Sequence, residues 1–330
     1  MSEVLVTGGA GYIGSHAVKV LLDKGYEVVV IDNLETGHIE AVDKRAKLYV
    51  GDIADELLMT KIFKENKIVG VIHFAAFSLV GESMSNPFKY YENNVGKTNR
   101  LLKYMVDNNV LNLVFSSTAA TYGEPESTPI EETNLQKPTN VYGQTKLSME
   151  QMISWYGKVH GLKSVALRYF NVAGAYGDGS IGEAHMPETH LIPIILQAAM
   201  KKRECIEVYG DDYPTRDGTC IRDYIHVIDL CEAHVNALEY LLQGNESDNF
   251  NLGSGEGFTV LEMIDAARKV TNCEINAKIV GRRAGDPAVL IASSNKAKKV
   301  LGWNPTRENI EVMIKDAWNW HYNHPNGYGK

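Results

Sequence analysis

The feature that most constrains this chain lies within its first fifteen residues. Three apolar residues, Val4-Leu5-Val6, run straight into Thr7-Gly8-Gly9-Ala10-Gly11-Tyr12-Ile13-Gly14. From Gly14 to Lys24, apolar Ala17, Val18, Leu21 and Leu22 fall on one face at helical spacing. A strand that turns through spaced glycines into a helix leaves the helix's first N–H groups without partners. Together with the positive end of the helix dipole they form an anion site. Gly8 permits the tight turn, Gly11 lets backbone approach a pyrophosphate, and Gly14 lets the helix pack on the sheet. Asp32 closes a second apolar strand, Glu27 to Asp32, where a carboxylate accepts hydrogen bonds from an adenosine ribose. It repels a 2′-phosphate, and Asn33-Leu34-Glu35 supplies no arginine to hold one. The expected cofactor is therefore NAD rather than NADP. Asp52, ending the strand Leu48 to Val50, could reach the adenine amino group.

The same rhythm continues along the first half. Val69 to Phe74, Leu113 to Ser116 and Ser164 to Leu167 read as buried strands. Leu57 to Glu65, Val95 to Val106 and Tyr142 to Val159 read as helices between them. Apolar strands alternating with helices indicate an α/β fold, a doubly wound parallel sheet of Rossmann type. After Gly174 the order loosens. Ala175 to Glu188 and Tyr209 to Arg222 read as loops, and Leu191 to Lys202, Ile228 to Leu242 and Val260 to Val270 as helices. The expected division is a dinucleotide-binding domain over 1–174 and a second, smaller α/β substrate domain over 175–330. Some segments, such as 222–250, are candidates to pack back on the first.

At 330 residues the chain can bury a full core without disulfides or a structural metal. Lys and Arg total 33 against 41 Asp and Glu, a net charge of −8. An anionic ligand must therefore be held locally, and the basic footprint of a nucleic-acid binder is missing. The four cysteines, Cys205, Cys220, Cys231 and Cys273, form no C-x-x-C pair. The start, Met1-Ser2-Glu3, has no basic leader, and no apolar run is long enough to span a membrane, so a cytoplasmic protein is expected.

Tyr142 and Lys146 lie four apart early in a helical segment and so share a face. An ammonium beside a phenol favours the phenolate, which would let Tyr142 act as a base near neutrality. The strand Leu113 to Phe115 ends in Ser116-Ser117-Thr118, which places hydroxyls at the carboxyl edge where such sheets bind ligands.

The glycine loop, the Ser-Ser-Thr strand end and the Y-x-x-x-K pair resemble the extended short-chain dehydrogenases/reductases. Further segments resemble the UDP-glucose 4-epimerase family among them. These are Asp32-Asn33-Leu34, His73-Phe74-Ala75-Ala76, Val80-Gly81-Glu82-Ser83, Asn93-Asn94-Val95, Arg168 to Gly174, Gly218 to Val227 and Arg282-Arg283-Ala284-Gly285-Asp286. The resemblance covers nearly the whole chain. It implies a homodimer formed through the helices at Val95 to Val106 and Tyr142 to Val159. It also implies tightly kept NAD and a UDP-hexose whose C4 is oxidised to a ketone and reduced again on the other face. Tyr142 would be the base, Lys146 would hold the nicotinamide ribose, and Thr118 would stand where many members carry a catalytic serine. Residues matching the cofactor site are Gly8, Gly11, Tyr12, Ile13, Gly14, Asp32, Asn33, Asp52, Ile53, Phe74, Ala75, Ala76, Ser78, Asn93, Tyr142, Lys146, Tyr169 and Phe170. Asn171, Arg222 and Arg283 would hold the diphosphate and Asp286 the uridine ribose. His190-Leu191 and Glu207 to Tyr209 match uridine segments.

Two positions depart from the pattern. Ser78 replaces a lysine of some members, and His190 replaces an asparagine. Leu290 falls where the family carries either tyrosine or a small residue, so N-acetylated UDP-sugars stay open. A 4,6-dehydratase is the nearest alternative, but such enzymes carry Asp-Glu after the threonine and here Ala119-Ala120 follow. A non-catalytic dinucleotide sensor would have no need of Tyr142 and Lys146. No metal is expected. His185 and His190 show no supporting carboxylate pattern, and His321 and His324 read as an exposed helix end.

Overall fold

A computed structural model describes residues 3–283 and 286–329, so Met1, Ser2, Ala284 and Gly285 of the segments above lie outside the described residues. The first half builds β1 (Glu3–Thr7), α1 (Tyr12–Asp23), β2 (Glu27–Asp32), β3 (Lys47–Val50), α2 (Glu56–Glu65) and β4 (Ile68–His73). Then come α3 (Val80–Ser85), α4 (Pro87–Tyr90), a π-helical stretch Tyr91–Lys97, α5 (Thr98–Asp107), β5 (Asn112–Ser116), α6 (Val141–His160) and β6 (Lys163–Tyr169). After the short β7 (Asn171–Ala173) follow α7 (Leu191–Ala199), β8 (Ile206–Tyr209), β9 (Ile221–Arg222), β10 (Tyr224–His226), α8 (Val227–Leu242) and β11 (Asp248–Leu252). The chain ends with β12 (Phe258–Thr259), α9 (Val260–Thr271), β13 (Ala277–Val280), β14 (Val289–Leu290), α10 (Asn295–Val300) and α11 (Ile310–Asn323).

The main sheet has seven strands in the order β11-β6-β5-β4-β1-β2-β3, all parallel. The order reverses between β1 and β4, and that switch point opens a crevice at the strands' carboxyl ends. One face is covered by α1 and α8, whose Val18, Leu21, Leu230, Val235 and Leu238 join a core with Val4, Val6 and Val30. The other face is covered by α2, α5 and α6 through Ile62, Leu101, Met105 and Met149. Gly70 in β4 is what lets α8 seat, because a Cβ there would stand 2.7 Å from Leu238 Cδ1.

The second half is not a separate body. The seventh strand, β11, and the covering helix α8 both come from beyond Gly174, and both belong to the main sheet's layers. The alternation of Asp248-Asn249-Phe250-Asn251-Leu252 is too polar to read as a buried parallel strand, yet Phe250, Asn251 and Leu252 are fully buried. What remains is a smaller unit in which α7, α9 and α11 pack around Ile195, Leu196, Met263 and Ile314 with the β8–β13 pair at its edge.

His73 ties the core to the site side. Its Nδ1 lies 2.6 Å from Thr7 Oγ1 and its Nε2 2.8 Å from Thr98 Oγ1, and burial pushes its pKa down to about 3. A neutral ring thus joins β1, β4 and α5. Because α8 seals one face of the sheet, residues 1–174 expressed alone should leave Val4, Val6 and Leu167 in water. The fragment is expected to lack a cooperative urea transition that the full chain shows.

Candidate active site

The crevice is a cavity of about 1100 Å³ that runs from the glycine loop to Arg283 and Asp286. At one end, Gly8 has φ +73° and a Cβ there would meet Ala75 N at 2.7 Å. A Cβ on Gly14 would meet the Gly8 carbonyl at 2.0 Å, so this glycine lets α1 close on its own loop rather than on the sheet. At Gly11 the only near atom is the Gly8 carbonyl, at 3.4 Å, and the cavity side is open. Gly11 caps α1 without a side chain, and no acidic residue stands in the first turn. The N–H groups of this turn are free to meet phosphate.

Asp32 is buried at the cavity wall, with Oδ2 accepting from Ala10 N (2.9 Å) and Oδ1 from Leu34 N (2.8 Å). These two amides fix the carboxylate edge, and each oxygen keeps a lone pair for a ribose hydroxyl. Burial works against the Asp52 carboxylate, but Lys97 Nζ at 2.5 Å and the Ala54 N–H hold it below the usual range. Lys97 lines the cavity and escaped sequence reading, since its partner lies 45 positions away. Ile53, Phe74, Ala75, Ala76, Ser78, Asn93 and Asn33 also line the wall. The Phe77 backbone is clamped by Asn94, whose Oδ1 accepts from Phe77 N and whose Nδ2 donates to Phe77 O. Asn94 sits in the π-helical stretch, a kind of irregularity that recurs at functional sites. Free amides at a glycine-lined turn and a carboxylate at the second strand fit NAD.

The reacting groups converge where α6 meets the end of β5. Asn140 caps α6, accepting from Gly143 N at 2.8 Å, so Tyr142 and Lys146 sit in its first two turns on one face. Gly143 is obligatory here, because a Cβ would stand 2.6 Å from the Ala120 carbonyl. The Thr118 hydroxyl lies near the Tyr142 phenol and favours its ionised form. The three strand-end hydroxyls are not equivalent. Ser116 Oγ lies 2.5 Å from Tyr169 OH, and Ser117 Oγ turns away to Glu150 Oε1. Thr118 is the one beside the phenol.

One expectation fails in this state. Burial raises the Tyr142 phenol to about 12, and the nearby Thr118 hydroxyl only partly offsets that. Burial also lowers Lys146 to about 7, and its ammonium donates to the Ser116 carbonyl at 2.7 Å rather than to the phenol. A half-neutral lysine spent on a carbonyl is a weak source of positive potential.

Toward the other end, Arg222 donates from Nη1 to Ile221 O and Pro287 O, and its Nη2 lies 3.6 Å from Asp286 Oδ1. Asp223 is instead buried, accepting from Ser254 and Ala292. Asn171 Nδ2 donates to Asp223 O, leaving its second N–H for a ligand. Phe170, Tyr169, Asn171, Arg222, Arg283, Asp286 and Leu290 all line the cavity. Leu191, Glu207 and Tyr209 do not. Leu191 packs in the second core. Tyr209 donates to Glu207 at 2.7 Å and carries Arg283 over its ring at 4.4 Å.

Two histidine readings are corrected. His185 and His190 do have carboxylates, since Glu183 and Glu188 stand beside them. The His190 ring faces those acids at the cavity edge, and their charge holds both imidazoles above the usual value against the effect of burial. The C-terminal helix is docked, not free: Trp320 is fully buried, stacks with His324 at 3.8 Å and donates to Glu183 O.

With this geometry in view, relatives become informative. The GDP-mannose 4,6 dehydratase family profile matches residues 5–317. A UDP-glucose 4-epimerase of Lacticaseibacillus casei is 58% identical over 326 residues, covering 99% of this chain and 98% of that one. The chain belongs to the UDP-glucose 4-epimerase family. A solved UDP-glucose 4-epimerase superposes over 100% of both chains with a TM-score of 0.98 at 54% identity. The UDP-glucose 4-epimerase of Bifidobacterium longum, solved with NAD+ and UDP, superposes over 99% of this chain and 100% of its own (TM-score 0.92, 40% identity). Within the broader dehydratase profile, the turn Ala119–Thr121 here presents no carboxyl group to the cavity. This epimerase-family site rests on Glu150, which accepts from Arg168 Nε (3.0 Å) and Nη2 (2.6 Å) behind the strand-end serines. Glu150→Ala should strand a buried guanidinium and cost about 3–5 kcal/mol in urea unfolding.

Proposed function

We propose that the chain interconverts UDP-galactose and UDP-glucose by reversible inversion at C4 through a 4-keto sugar, with NAD kept through turnover. The observation that carries this reading is that Tyr142, Thr118 and Lys146 line one cavity that joins the glycine loop to Arg222, Arg283 and Asp286. Bound NAD supplies the hydride acceptor and donor and, when oxidised, a positive ring that favours the phenolate. Tyr142 takes the proton of the sugar 4-hydroxyl and returns it after inversion. Thr118 hydrogen-bonds the same oxygen and keeps it aligned with the phenol. Lys146 orients the nicotinamide ribose and adds positive potential as it binds. No proton need leave the site and no second substrate is consumed.

Inversion needs a firm anchor and a sugar free to turn. Arg222 and Arg283 supply fork-shaped cations for the diphosphate, and Asp286 accepts from the uridine ribose. Asn171 gives the diphosphate the second N–H of its Nδ2, the first being held by Asp223 O. Leu290 lies on the cavity wall and sets how large a sugar substituent can turn. We place the chain in a homodimer joined through α5 and α6, which is supported by exposed Trp155 and Val159 on α6 and by Phe88 and Tyr91 just before α5. A reducing cytoplasm suits its four free cysteines.

Purified protein given UDP-galactose and no added NAD is expected to form UDP-glucose. Tyr142→Phe should lower turnover by ~10²–10⁴-fold, the usual contribution of a general base. Turnover that survives this substitution, with or without added NAD, would overturn the proposal. A parallel UDP-GalNAc assay reads the room left at Leu290.

A further inference from the structure

Between β7 and α7 the chain carries Glu183, His185, Glu188 and His190, to which the proposed reaction gives no proton or hydride step, although Glu183, His185 and His190 line its cavity and His190 matches a uridine segment. One donor atom from each falls within 4.8 Å of all the others. His190 Nδ1 lies 2.8 Å from Glu188 Oε1 and 3.0 Å from Glu183 Oε1. His185 Nδ1 lies 3.2 Å from Glu183 Oε1 and 3.6 Å from Glu188 Oε2. Two ligands at ~2.0–2.1 Å from a tetrahedral zinc ion stand about 3.3 Å apart. Glu183 Oε1 stands at 3.0 and 3.2 Å from the two imidazole nitrogens, and the two Glu188 separations run to different oxygens of that carboxylate, one of which would be the ligand.

We propose that Glu183, His185, Glu188 and His190 form a closed four-ligand Zn²⁺ site that pins the segment before α7 to the body of the protein.

Three features argue for a metal rather than for two ion pairs alone. His185 Nδ1 is buried and makes no hydrogen bond of acceptable geometry, although carboxylate oxygens surround it. That is the state of a ligand atom aimed at a centre rather than at a partner. The Glu188 carboxylate is itself oriented by outer contacts, as metal ligands are. Glu188 Oε1 accepts from the backbone N–H groups of Thr189 and His190, each at 2.8 Å. The backbone around Glu183 is held by other elements. Trp320 Nε1 donates to Glu183 O, Gly182 N donates to Tyr328 OH, and His38 Nε2 lies 3.0 Å from Ala184 O. The charge also balances: two carboxylates and two neutral imidazoles match one dication. Imidazole nitrogen with carboxylate oxygen in a compact tetrahedron suits zinc better than calcium or magnesium, which prefer more oxygen ligands.

The position gives the site its purpose. His190 immediately precedes α7 and lines the cavity, and the His185 ring meets Tyr12 of the first turn of α1 at 6.4 Å, edge to face. A bound ion would fix this part of the wall against both α1 and α11.

The test uses untagged full-length protein, treated with chelator and then titrated with Zn²⁺ alone. Expected are about one ion bound per chain and a rise in melting temperature with zinc. The Co²⁺-loaded protein should show the intense visible band of a tetrahedral site. His185→Ala and Glu188→Gln should each weaken zinc binding by more than about tenfold. Wild-type protein that takes up no zinc, or a Co²⁺ spectrum of six-coordinate type, would overturn the proposal, and the cluster would then be a pair of salt bridges. The wild-type arms decide the matter even if a variant fails to fold.

Discussion

The site's geometry depends on one close approach, the contact of the first turn of α6 with the Ala120 carbonyl across Gly143. A side chain at Gly143 would force the helix away from the end of β5. Tyr142 would then leave Thr118, and Lys146 would lose the Ser116 carbonyl. Asn140 sets where the helix begins, and Ala119 and Ala120 keep the facing turn small. Small residues in that turn thus do two things. They let the helix in, and they remove the carboxyl groups an elimination would need.

Behind this contact lies a buried polar chain that makes the approach rigid. Ser117 donates to Glu150, Glu150 pairs with Arg168, Arg168 donates to Tyr122, and Tyr122 donates to Asn251 in β11. The last link comes from the second half of the chain, so the far strand of the sheet helps to hold the phenol's surroundings. Every member is satisfied, which is the condition under which such a network stiffens a core instead of weakening it. The raised phenol of Tyr142 fits this design. Burial in a preorganised pocket suppresses ionisation until a positive ligand arrives.

Much of this was legible in the sequence, for identifiable reasons. The glycine loop, Asp32 and the Tyr142–Lys146 pair announce themselves through local spacing, and local spacing survives folding. The cavity wall around Phe74 to Ser78 and Arg222 to Asp286 came from family resemblance rather than from chemistry read residue by residue. Long-range partners left no local trace. Lys97 meets Asp52, and Asn251 meets Tyr122, only because the sheet brings them together. β11 was hidden by its polar residues, of which the buried Asn251 has its polarity met inside the network. Glu183 and Glu188 were the opposite case. They stand within seven positions of both histidines, and the E-x-H-x-x-E-x-H spacing was there to be seen.

The central claim is that C4 is inverted by removing and returning the same hydrogen while Tyr142 handles only the proton. Isotope tracing tests this most directly. UDP-galactose deuterated at C4 would be converted in ordinary water and the UDP-glucose examined by mass and NMR. The account predicts that deuterium stays at C4 in the product. Replacement by solvent hydrogen at C4 would contradict it, because inversion would then proceed by proton exchange at carbon.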